Sequence, residues 1–265
     1  MPPLPPTREA PLRSLIFQRF LPADPSGAGR QAVWLARALS EHGVSCSFLG
    51  ERNVSSAGSS GESLEFPVAW IDPLPDKPSH QAILVYWAHL SRRLWSLRDT
   101  FDVLHVHAGG FEGAIATPFA GAVLGKATLV RSSIQGEFAG IRRSPSGSVH
   151  GRMLSCADAF IGLSRKTMEE QAESGLPRSR IHLIPNGVDT SVFHPVDAEA
   201  KQALRRELGL PESAPILVYH GVFLYRKAVV WLLRALGPVL RETGAHLLLV
   251  GGVRGTTTSP TTSRG

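Results

Sequence analysis

The stretch Ile184-Pro185-Asn186-Gly187-Val188-Asp189, with Phe193 and Pro195 behind it, decides how the chain is divided. It closes an apolar run over 181–184 and turns at Asn-Gly, a dipeptide that tolerates the positive φ of tight turns. A charged helical pattern follows, with Ala200, Ala203, Leu204 and Leu208 on one face and Gly209 and Pro211 as stop signals. Next come an apolar strand over 216–219, a loop with Arg226 and Lys227, an amphipathic helix over 229–240 and an apolar strand over 246–250. Val229, Leu232, Leu233, Leu236 and Leu240 are expected to form the buried stripe of that second helix. Two strands and two helices make a small core, marginal on its own.

Upstream, short apolar runs alternate with helical patterns. Strands are expected over 15–21, 44–49, 67–71, 103–106, 128–132, 160–163 and 181–184. Between them, Ala32, Leu35, Ala36 and Leu39 mark one helix face, residues 81–97 are amphipathic, 113–124 are small and helical, and Met153 to Ala157 belong to a helix. Ser164 caps a helix over 165–174. Residues 53–61 and 135–148 read as loops. This alternation predicts an α/β fold, a parallel sheet with helices on both faces.

Composition narrows the function classes. The chain has 265 residues, 43% hydrophobic and 19% charged, with a formal net charge of +6. That charge suits phosphates, nucleotides or acidic lipids. The basic residues are scattered and no zinc finger or RNA-recognition motif accompanies them, so no nucleic-acid partner is expected. No apolar run is long enough to span a membrane, and Met1-Pro2-Pro3-Leu4-Pro5-Pro6 lacks the pattern of a secretory signal. Cys46 and Cys156 have no CxxC spacing and are expected to be reduced buried thiols, consistent with a cytoplasmic protein.

Several residues could carry chemistry. Ser26-Gly27-Ala28-Gly29 stands between a strand and a helix, where glycines admit a phosphate or simply form a tight turn, with Arg30 next along. His105 and His107 flank Val106 at a strand's carboxyl end, the ligand side of an open parallel sheet. They share a face, and either line a site or pack under a helix. No third ligand has suitable spacing, so no metal is expected. Gln135-Gly136-Glu137 follows another strand, where Glu137 meets either a hydroxylated ligand or solvent. Asp158 and Ser164 form no Ser-His-Asp arrangement, and no G-x-S-x-G elbow is present. Arg226 and Lys227 place positive charge in a strand-to-helix loop, where they either neutralise a diphosphate leaving group or form a solvated charge pair at a helix start. Arg92, Arg93 and Arg98 beside Leu90, Leu94, Trp95 and Leu97 fit a basic amphipathic helix at a membrane surface or an ordinary surface helix.

These elements together resemble the group 1 family of retaining, nucleotide-sugar-dependent glycosyltransferases. The resemblance spans about residues 13 to 253, and its most specific parts are Ala157-Asp158-Ala159-Phe160-Ile161 through the Asn186-Gly187-Val188-Asp189 junction, then 217–250 with Lys227. It implies two Rossmann-like domains of the GT-B type. They are a complete acceptor-side domain over 13–185 and a partial donor domain over 186–253, flanked by disordered segments at 1–12 and 254–265. It implies a nucleotide diphosphate sugar as co-substrate, a hydroxylated acceptor and no cofactor. Location is expected in the cytoplasm, including the inner face of the membrane. Gly27 and Gly29 map to the turn near the donor phosphates, and Lys227, with Arg226, to the diphosphate. Val222 stands where the family has arginine, and Gln135 where it commonly has a sugar-lining histidine. His107 starts a loop that approaches acceptor or donor. His107 and Gln135 are therefore the candidate catalytic residues, because the family's pair of glutamates is absent.

The tail, Thr256 to Ser263, resembles nothing folded, but the third-base reading of its codons permits an acidic, helix-like run. The resulting expectation is a frameshift after about Gly252 and a chain with little or no transferase activity. The alternative expectation is a non-catalytic binding module or fragment. A two-domain sugar-nucleotide epimerase fits the junction less well.

Overall fold

The computed structural model describes residues 10–21, 27–52, 64–75, 79–107, 109–143 and 147–252, except for the side chain of Arg226. Most of the lead-in, the loop over 53–61, Ser26 of the glycine turn and the tail over 254–265 lie outside the described residues. The chain divides into two compact units between Gly187 and Val188.

The first unit is one parallel sheet of seven strands. They are β1 (Arg13–Phe17), β2 (Ser45–Glu51), β3 (Val68–Ile71), β4 (Val103–Val106), β5 (Ala127–Arg131), β6 (Ala159–Gly162) and β7 (Ile181–Leu183). Their order across the sheet is β3-β2-β1-β4-β5-β6-β7. Parallel strands are covered on both faces, which is why they read as apolar runs. Along β1, Leu15 and Phe17 face one core and Ile16 the other. Helix α1 (Gly27–Glu41) buries Ala32, Val33 and Ala36 on the Ile16 side. Helices α2 (His80–Leu97) and α3 (Gly110–Pro118) pack on the other side, through Leu90, Leu94, Ala114 and Ile115. Helices α1 and α3 thus leave β1 and β4 toward opposite faces. The order of strands reverses between those two, which defines the ligand side of such a sheet. The opposite end is clipped by Arg13, whose backbone N–H, Nε and Nη2 all donate to the Asp102 carboxylate at 2.9–3.2 Å.

Several expectations are corrected. β1 ends at Phe17 rather than 21. The expected loop over 135–148 contains α4 (Glu137–Arg143) and the start of α5 (Gly147–Leu154). Glu137 in the first turn of α4 and Arg142 and Arg143 in its last complement the helix dipole. The missing amino-terminal acceptor comes from far away: Glu170, on α6 (Arg165–Glu173), accepts from Gly136 N at 2.7 Å and Ala139 N at 3.0 Å. Of the stripe that fitted either a membrane-surface helix or an ordinary surface helix, Leu90 and Leu94 are wholly buried in the core, while Trp95 is exposed. Cys46 is buried as expected, but Cys156 is exposed just past α5. Ser164 caps α6, accepting from Thr167 N at 3.2 Å.

The second unit holds α7 (Ala198–Glu207), β8 (Ile216–His220), α8 (Val229–Thr243) and β9 (His246–Val250), with β8 and β9 parallel. Asp197 caps α7, accepting from Ala200 N at 2.8 Å. Of the expected buried stripe on α8, only Val229 is buried, while Leu233 is 45% exposed. A helix can bury only what the two strands beneath it cover. The turn Tyr225–Lys227 leads into α8 through Ala228 at φ 56°, the one described non-glycine residue with positive φ.

Two outcomes follow from this contrast. Amides of β8, β9 and α8 should exchange with deuterium at least about a hundredfold faster than those of β1, β4 and β5, since local opening energy tracks buried apolar contact; equal protection would contradict the burial difference. Ala228→Gly should stabilise the second unit by about 1 kcal/mol, by relieving the left-handed backbone of a residue with a Cβ, read as a shift of its own unfolding transition in urea.

Candidate functional site

Arg131, the last residue of β5, is 5% exposed. A guanidinium cannot shed its charge at ordinary pH, so burial requires partners. It finds them on two other segments. Nη1 donates to His107 Nε2 at 2.9 Å and to the His107 carbonyl oxygen at 3.1 Å. Nη2 donates to Asn186 Oδ1. Burial pulls the Arg131 pKa down to about 10, a shift that nearby Glu137 opposes.

This geometry fixes the state of His107. Arginine offers only donors, so the Nε2 that receives it carries a lone pair, and the proton of the neutral ring sits on Nδ1. Burial, then Arg131, then His105 depress its pKa to about 2, and burial and Arg131 depress that of His105 to about 3. The two rings lie 5.3 Å apart. His107 Nδ1 is buried without a hydrogen-bond partner among the described residues. His107 therefore presents an N–H donor at the end of β4. With Nε2 already engaged, it is poorly placed to act as a base.

Two carboxylates hold the amino-terminus of α3. Glu137 Oε1 accepts from Gly110 N at 2.5 Å and its Oε2 from Ser133 N at 3.1 Å. Burial raises its pKa, against the lowering effect of those backbone bonds. Glu112, in the first turn of α3, is 7% exposed and accepts from Arg19 Nη1 at 3.1 Å. Burial raises its pKa too, opposed first by Arg19. Gly109 must be glycine: its φ is 140°, and a Cβ there would lie 1.9 Å from Glu112 Oε2. Arg19 also places Nε 2.8 Å from Glu51 Oε1 at the end of β2, an oxygen that accepts from the Tyr86 hydroxyl at 2.7 Å. Gln171 of α6 braces the strand ends, donating to Ser132 Oγ at 3.1 Å and to the Ile161 carbonyl at 3.2 Å.

The residues singled out from sequence fall in different places. Gly27 opens α1 and faces open space, while a Cβ on Gly29 would lie 2.3 Å from the Phe20 carbonyl oxygen. Gly29 thus permits α1 to approach the segment after β1, a packing role. Gln135 is exposed in the turn before α4. Glu137, read as either a ligand contact or a solvated residue, instead caps α3. Lys227 is exposed in the second unit, and Arg226 shares its turn. Arg131, Glu112 and Asn186 were not read as site residues. For Arg131 and Asn186 the one signal was a charge or amide after an apolar run, and Glu112 stands just past a Gly-Gly turn. Among the described residues, no three His, Cys, Asp or Glu side chains gather as metal ligands.

The sequence profile of glycosyltransferase family 4 matches residues 25–192, well over half of the chain. The D-inositol 3-phosphate glycosyltransferase of Xylanimonas cellulosilytica is 33% identical over 121 residues, covering 43% of this chain and 28% of that protein. The N-acetyl-alpha-D-glucosaminyl L-malate synthase of Bacillus anthracis is 27% identical over 156 residues, covering 58% and 40%. Among solved structures, Anabaena Alr3699/HepE in complex with UDP and glucose superposes with a TM-score of 0.66 at 14% identity, over 91% of this chain and 61% of that one. At that identity the likeness shows a shared fold. The chain spans less than half the length of both curated relatives. It belongs to glycosyltransferase family 4.

The buried histidines set a pH dependence. Their folded pKa values lie below the unfolded value, so the unfolded chain takes up protons first as pH falls. The stability they contribute is complete well above pH 6.5 and is lost below it, by about 2 kcal/mol per histidine at pH 5. Nitrogen-15 NMR at pH 5 should show both rings neutral and His107 protonated at Nδ1. A charged His107, or a proton on Nε2, would contradict the Arg131 geometry.

Proposed function

We propose that this family 4 chain carries the acceptor side, and the start of the donor side, of a retaining glycosyltransferase. The reaction moves a sugar from a nucleotide diphosphate sugar to an acceptor hydroxyl. The glycosidic bond to the diphosphate breaks, a bond to the acceptor oxygen forms, and the acceptor's proton leaves. The observation that supports this reading is the convergence of His107, Arg131, Asn186, Glu112 and Glu137 at the carboxyl ends of β4 and β5, inside the region matched by the family profile. Solved relatives with this fold hold UDP and glucose, which supports a sugar nucleotide as donor.

In this reading, catalysis rests on stabilising the departing diphosphate, the charge that develops as the bond breaks. Lys227 and Arg226, in the turn before α8, supply positive charge to it. Gly27, with open space where a side chain would stand, leaves the amino-terminus of α1 approachable by a phosphate oxygen. Neutral His107 orients a hydroxyl or sugar oxygen through Nδ1–H.

A second reading, a binding module without transfer activity, is favoured by one observation: among the described residues, Val229 is the only buried hydrophobic residue of the second unit. Calorimetric titration with UDP and UDP-glucose separates the two. Saturable binding that Lys227→Ala weakens about tenfold, or about 1.4 kcal/mol, supports the transferase. Absence of nucleotide binding supports the module. Anomeric NMR of any transfer product tests retention, and an inverted product would remove that part of the proposal.

A further inference from the structure

The amino-terminus of a helix ordinarily welcomes an anion, through its free N–H groups and the positive end of its dipole. In α3 that place is taken by the chain's own carboxylates. Gly110 N–H donates to Glu137 Oε1 at 2.5 Å, and Glu112 Oε2 packs against Gly109, where no Cβ could stand. The cations around it are committed. Arg131 is held by His107 and Asn186. Arg19 is shared between Glu51 and Glu112, with Leu74 O at 3.4 Å from its Nη2. Three carboxylates, Glu51, Glu112 and Glu137, therefore meet two guanidiniums, those of Arg19 and Arg131. An incoming phosphate or carboxylate would find like charge where the helix alone would have offered attraction.

A second observation points to the ligand that does fit. His107, 1% exposed, carries a proton on Nδ1 with no acceptor among the described residues, two positions before the capping glycine Gly109. Such a donor is satisfied by an oxygen lone pair. A carboxylate, in turn, is satisfied by a ligand that donates. Phosphate and carboxylate groups at neutral pH only accept, whereas a hydroxyl both accepts and donates.

We infer that this end of the sheet selects an uncharged polyol acceptor, recognised by hydroxyls that accept from His107 Nδ1–H and donate to Glu112 or Glu137, and disfavours an acceptor bearing phosphate or carboxylate there. The inference rests on the reading of the first unit as the acceptor side. It sets this chain apart from the matched relative named for D-inositol 3-phosphate.

A matched pair of probes tests it: myo-inositol and D-inositol 3-phosphate, titrated into the isotope-labelled chain at pH 8 and constant ionic strength. The readouts are the amides of Gly109, Gly110 and Glu112 and the Nδ1–H of His107. Myo-inositol should shift these signals at millimolar concentration, and the phosphate should bind there at least about tenfold more weakly. Glu112→Gln and Glu137→Gln, each checked for an unchanged amide spectrum elsewhere, should narrow that gap by admitting the phosphate. Equal or tighter phosphate binding at these signals would overturn the selectivity while leaving the acceptor site in place. If neither probe moves them, both the inference and the acceptor-side reading fail.

Discussion

One buried guanidinium organises the ligand side of the sheet. Arg131 ends a strand where charge is expensive to desolvate, and hydrogen bonds to His107 and Asn186 are what make its position tolerable. Three consequences stem from that constraint. The ring of His107 is locked in one tautomer, its neutral form is enforced, and the segment after β7 is tied back to the centre of the sheet. Lysine could not replace this arrangement. Its compact ammonium lacks the planar fork that reaches two partners on separate segments.

The second level of organisation is a network of carboxylates that serve backbone rather than solvent. Glu137 joins the start of α4 to the start of α3, and Glu170 joins α6 to α4. Each replaces a local cap with one from a distant element, so the loops that carry Gln135 and Gly109 are set by tertiary contacts. Arg19, Glu51, Glu112 and Tyr86 extend the same logic to β2 and α2. The second unit shows the opposite regime. There α7 is capped locally, by Asp197, α8 has no side-chain cap, and the apolar side chains stay largely accessible for want of neighbouring strands.

Much of the fold was legible in the sequence because parallel strands announce themselves. Runs such as Leu15 to Phe17 and Ala159 to Gly162 are apolar throughout, and a sheet covered on both faces demands it. The helix over 137–143 was not legible, because its amino-terminal acceptor lies on Glu170, more than thirty residues away in the chain. The stripe on α8 was misread for the converse reason: periodicity declares which residues can be buried, whereas burial needs a surface to cover them. At the candidate site, sequence brought out His105 and His107 as a pair on one face but offered nothing on protonation. That depends on Arg131, an arginine that sequence alone could assign to solvent. Glu137 was visible as a residue near a strand end, and its cap on α3 was not, since the donor belongs to a separate stretch of chain.

The Asn186 contact also bears on how such proteins recombine. By secondary structure alone, the seam for a chimera falls at the start of the Asn-Gly turn, where the last strand of the first unit has ended. Yet the side chain of Asn186 is chemically part of the sheet it follows, through Arg131. A crossover placed before it would hand a neighbouring lineage's residue to a guanidinium that needs an acceptor at that point. Crossovers that fall after Gly187 inherit the pair intact. Exchange of second halves between relatives is thus governed by a single amide, and the inheritable module is two residues longer than its last strand and linker suggest.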